Sequence, residues 1–163
     1  MEQAKVSNLQ ERNPAVVPVP TLLRCETGSP DPLLIQTEGD AYLTFSLYEE
    51  RERGAIRFKR CQSAKFGYPN NEALSGHPLY RFGLILYDLQ LVRNSPWLEE
   101  IKKMNRVHRS HDDSLHPHLN HYVFPLHDST FECIAASHDE LKIPEHMDLS
   151  IANLEAQFAI LGR

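Results

Sequence analysis

The sequence predicts an α+β fold: a predominantly antiparallel sheet or small open barrel, packed by two helices and carrying long structured loops. Three observations lead there. Several short segments alternate apolar and polar residues with the period of two expected of a strand with one buried face. Two segments, Trp97–His108 and Ile151–Leu161, repeat apolar residues at helical spacing instead. Strands and helices do not alternate regularly, as a doubly wound parallel sheet would require.

The 163 residues match one domain, and a hydrophobic content of 41% supplies a core without disulfide or metal staples. Residues 1–20 read as an extended or weakly ordered arm, because AVVPVP places prolines where a ladder needs N–H donors. Residues 21–163 read as the single globular domain. Within it, LLRC from Leu22 suggests a strand and GSPDP a turn. LLIQT and AYLTFSLY flank Glu38-Gly39-Asp40 as a hairpin, with Leu43, Phe45 and Leu47 on its buried face and Tyr42, Thr44 and Ser46 on the wetter one. AIRF continues the sheet.

The segment 62–82, QSAKFGYPNNEALSGHPLYRF, is interrupted by Gly67, Pro69, Gly76 and Pro78 and reads as a structured surface loop, a common carrier of binding residues. GLILYDLQLV from Gly83 reads as one buried strand. Ser95 then caps a helix whose first residue is Pro96, where the missing N–H costs little. HYVFPLH and TFECIAAS form the next strand pair, and Ile151, Leu154, Phe158 and Leu161 make the apolar stripe of the last helix.

Composition excludes some functions. With 17 basic and 22 acidic side chains the formal charge is −5, which gives no strong signal for nucleic acid. Arg51, Arg53, Arg57, Lys59, Arg60 and Lys65 form the main basic cluster, diluted by Glu49, Glu50 and Glu52 and read mainly as a solvated strand edge. No run of roughly eighteen apolar residues suggests a membrane span, and the first residues lack the pattern of a secretion signal, so a soluble cytoplasmic protein is expected. Cys25, Cys61 and Cys133 contain no CxxC pair and read as reduced core residues.

The unusual feature is histidine. Seven of nine lie between His108 and His138. His116-Pro117-His118, if extended, turns two imidazoles to one side, as a single divalent transition metal would need, with another His or a carboxylate, His127 or Glu132, completing the shell. On a straight strand His121 and His127 stand about 20 Å apart and cannot share an ion. The turn after His127 decides its partner: a four-residue connection opposes it to Glu132, a three-residue one to Phe131. His77, borne on the 62–82 loop, His127 and Glu132 are the candidate acid/base residues, since an imidazole oriented by a carboxylate works as a general base near neutral pH.

Two functions remain open at this level. One is a ligand-binding or protein-interaction domain that meets a small-molecule or protein partner through a histidine-rich loop-strand surface. The other is a small metal-dependent enzyme, of hydrolase type, built on a histidine/carboxylate pocket. No GxSxG elbow, HExxH helix, GxGxxG turn or P-loop marks a familiar catalytic class.

Overall fold

The computed structural model describes residues 13–48, 51–112, 114 and 118–161. The strands are β1 (Ala15–Pro18), β2 (Leu33–Gln36), β3 (Ala41–Ser46), β4 (Glu52–Lys59), β5 (Ser63–Gly67), β6 (Gln90–Arg93), β7 (Asn120–Pro125), β8 (Thr130–Ala135) and β9 (Ser137–Pro144), and the helices are α1 (Pro96–Asn105) and α2 (Ile151–Leu161). They build the expected α+β fold as two open antiparallel sheets. One has five strands in the order β1-β6-β7-β8-β5, the other four in the order β2-β3-β4-β9.

The sheets face each other across an aromatic core, the arrangement by which two half-apolar sheets hide their inner faces from water. Phe45 meets Phe124 edge to face with ring centroids 5.1 Å apart, and Phe58 packs on both Tyr122 and Phe131. Each sheet is also covered on its outer face. Leu154 and Phe158 of α2 seal the four-stranded sheet over Tyr42, Ala55 and Ile143. Leu74, Leu79 and Leu84 seal the five-stranded sheet over Val16, Val92 and Val123.

This second covering explains where pattern and structure part. The predicted hairpin forms, but Tyr42 and Thr44 on its supposedly wet face are buried because α2 lies there. The expected strand from Gly83 shrinks to Gln90–Arg93. Gly83 and Tyr87 have left-handed φ angles of 106° and 64°, which break an extended run. The fully buried Gln90 side chain also donates to the carbonyls of Ile85 and Asp88 and accepts from the Ile85 N–H, so this stretch bonds to a side chain instead of a ladder.

The expected 62–82 loop contains β5. The strongly charged SHDELKIP, unread as a strand, pairs along the whole of β4. LLRC contributes only an isolated bridge between Cys25 and Leu47. Part of the predicted arm, Ala15–Pro18, pairs with β6.

Much of the basic cluster is internally engaged. Asp139 receives Arg57 at 2.6 Å and Lys59 at 2.7 Å, and Arg53 reaches Asp31. All three cysteines are free and buried. Among the described residues, no helix is long and apolar enough to cross a membrane.

Gly54 shows how tightly side chains pack across the β3–β4 pair, where it lies opposite Phe45. A Cβ there would lie 2.8 Å from Cε2 of Phe45 and 3.1 Å from Cδ2 of Leu47. Gly54→Ala is expected to destabilise the protein by about 1–3 kcal/mol through overpacking, read as a lowered urea midpoint at unchanged m-value. An unchanged midpoint would contradict this packing.

Candidate functional site

The site lies on the outer face of the five-stranded sheet, where β7 and β8 meet the covering segment 70–86 and the start of α1. Its centre is Glu132. In the β7–β8 register Val123 opposes Glu132 and Ile134 opposes His121, so Glu132 and His121 are diagonal neighbours on one face. His121 Nε2 lies 2.8 Å from one carboxylate oxygen, and His77 Nε2, arriving from the covering segment, lies 3.2 Å from the other. Both side chains are buried, at 2% and 7% exposure, against 12% for the glutamate.

The proton positions follow from the partners. His77 Nδ1 accepts the Leu79 backbone N–H, so the neutral ring carries its proton on Nε2 and donates it to Glu132. Ser95 Oγ lies 2.8 Å from His121 Nδ1 and accepts the Leu98 N–H as the N-cap of α1. Its hydroxyl proton is therefore available to His121 Nδ1, while His121 Nε2–H donates to the carboxylate. The result is a continuous chain, Ser95–His121–Glu132–His77. Trp97 stands edge-on to the His121 ring with centroids 5.1 Å apart, and Lys65 caps the indole with its Nζ 3.8 Å from the ring centre.

Burial alone would raise the Glu132 pKa. Hydrogen bonds from His121 and His77, together with the positive charge those rings can carry, outweigh it and draw the value down from 4.5 to about 2.

Two clefts open at the ends of this chain. At the Ser95–His121 end, a cleft of about 470 Å³ lies between β6 and α1, with Arg93, Asn94, Leu98, Lys102 and Asn120 also lining it. At the His77 end, a cleft of about 410 Å³ is walled by Tyr68, Pro69, Gly76 and Pro78.

Of the residues singled out from sequence, the structure joins His77 and Glu132. It does not pair either with His127. Pro125 ends the ladder opposite Thr130, and the turn closes with Leu126 N–H donating to Ser129. His127 thus sits on the turn itself, opposing neither Glu132 nor Phe131. Its Nδ1 lies 3.2 Å from the Tyr87 hydroxyl and 3.4 Å from Asn71 Nδ2, which tie the covering segment to the turn. His118 is exposed, and His116 lies outside the described residues. His138 packs on Phe58 and Tyr122, where burial lowers its pKa against the opposing charges of Glu140 and Asp139. Among the described residues, no group of three or more His, Cys, Asp or Glu side chains is arranged to hold a metal ion.

The residues that sequence reasoning missed are His121 and Ser95. The period-two pattern of β7 places His121 and Val123 on one face, but only the register adds Glu132 to it. Ser95 was legible as a helix cap, and that cap also bonds an imidazole. The chain matches no known family model, no curated protein and no solved structure.

Glu132 ties acid stability to this site. Because its folded pKa lies below its ordinary 4.5, the stability it contributes is whole above about pH 4.5 and is lost as pH falls toward 2. Glu132→Gln is expected to cost about 2 kcal/mol or more at pH 7 and to flatten the fall in stability below pH 4.5, followed by urea unfolding at stepped pH. Parallel curves for the two proteins would show that Glu132 is not the linked group.

Proposed function

We propose that the protein is a small-ligand-binding domain whose site is the cleft between β6 and α1. The observation that carries this reading is the clamp on Glu132. A buried carboxylate satisfied from both sides fixes His121 and Ser95 at the floor of a concavity without requiring the fold to rearrange, and preorganised polar groups of this kind favour small ligands. The cleft volume falls within the range of small-molecule sites. Lys102 on its wall is paired with Glu99 at 3.0 Å, which leaves Arg93 to favour a ligand with a carboxylate group over a cation. The dispersal of His108, His118, His127 and His138 over separate surroundings gives a shared histidine surface less support than this one cleft.

Amide spectra recorded while titrating acetate and benzoate test the reading. Saturable shifts confined to residues 91–98 and 119–121 are expected, weakened several-fold in Arg93→Ala. Absence of saturable shifts there, or their appearance on another face, would overturn it. A parallel titration with zinc distinguishes the metal-dependent alternative, which requires tight binding at His116, His118 and His127.

A further inference from the structure

The chain from Ser95 to Glu132 has the connectivity of a nucleophile, a base and a group that orients the base. We propose that Ser95, His121 and Glu132 form an acyl-transfer centre acting on small carboxylic esters, an inference that rests on ligand access to the cleft between β6 and α1.

Four observations carry it. The Ser95 hydroxyl and His121 Nδ1 are 2.8 Å apart, within reach for proton transfer, and His121 Nε2 is held at the same distance from Glu132. Ser95 and His121 are both among the residues that line the cleft, although each is almost wholly buried. Ser95 sits where β6 turns abruptly into α1, immediately after Asn94 with a left-handed φ of 52°. Finally, Ser95 Oγ gives its proton to His121 and one lone pair to the Leu98 N–H, which leaves the second lone pair for attack.

The roles follow. Ser95 Oγ bonds to the ester carbonyl carbon while its proton passes to His121 Nδ1. That proton then moves to the alkoxide oxygen as the carbon–alkoxide bond breaks, releasing alcohol and leaving an acyl-serine. Water attacks the acyl carbon, giving its proton to His121, and the serine oxygen recovers that proton as the acid departs. Glu132 keeps the Nε2 proton in hydrogen bond throughout and stabilises the transient imidazolium. His77 holds the far carboxylate oxygen, so Glu132 and His77 are positioning residues.

The test is covalent labelling of the full chain by a fluorophosphonate, located by peptide mass spectrometry. One adduct is expected, on Ser95. Ser95→Asn should abolish it while preserving the cap and the fold, since asparagine caps helices as well as serine does. His121→Asn should slow labelling by about 100-fold or more. Glu132→Gln, by removing the charge that stabilises the imidazolium, should slow labelling and move its pH midpoint downward, an effect that lost packing alone would not produce. No adduct, or an adduct on another serine, overturns the proposal. If acetate and benzoate still shift the cleft amides, the binding reading stands without the chemistry; if they do not, both readings fail.

Discussion

A carboxylate buried beneath the segment that covers the outer face of a sheet is tolerable only if hydrogen-bond donors replace the water it has lost. Glu132 finds two, one from its own hairpin and one from a segment remote in the sequence. His121 stands on the neighbouring strand and is fixed in turn by the first residue of the α1 cap. His77 descends from the segment that covers the outer face of the five-stranded sheet. One side chain therefore ties together β7, β8, the covering segment and the helix, and the geometry of both clefts depends on it.

The rest of the outer face supports this tie. Gln90 holds the stretch that leads back from the covering segment into β6, and Gly83 allows that segment to pass close to Val16, where a Cβ would stand 3.1 Å from the carbonyl oxygen. Asn71 and Tyr87 reach His127 at the turn, and Thr130 donates to the Pro69 carbonyl. Leu74, Leu79 and Leu84 add apolar contact beneath. Polar bonds set the position of the covering segment while the leucines supply its hydrophobic stabilisation. The chain from Ser95 to His77 thus lies on a braced surface, as a preorganised site requires.

Local pattern made the fold class and most strands readable. The β2–β3 hairpin, the Ser95-Pro96 helix start and the α2 stripe were each specified by neighbours within a few residues, which is the range over which alternation and capping act. β9 was not readable, because its charges are met by remote partners: Asp139 by Arg57 and Lys59 of β4, about eighty positions away, and Glu140 by the Thr21 hydroxyl and the Leu22 N–H. The strand expected from Gly83 failed for a similar reason: its backbone bonds are taken by the Gln90 side chain. In the candidate site, residue type singled out His77 and Glu132, which the structure brings into contact, yet no spacing rule could reveal that a strand diagonal and a helix cap would join them to His121 and Ser95. His127 has no cross-strand partner because the hairpin turns there: the Leu126 N–H bonds to the Ser129 carbonyl and leaves His127 and Asp128 as the two turn residues.

The central claim is that the Glu132 carboxylate accepts a hydrogen bond from each of two imidazoles, and the tautomers of those rings test it most directly. Long-range proton–nitrogen correlation spectra of the histidine rings at neutral pH should show His77 and His121 each fixed with the proton on Nε2, and each Nε2 proton shifted downfield by the carboxylate. Rings that average between tautomers, or a His121 protonated on Nδ1, would contradict the account.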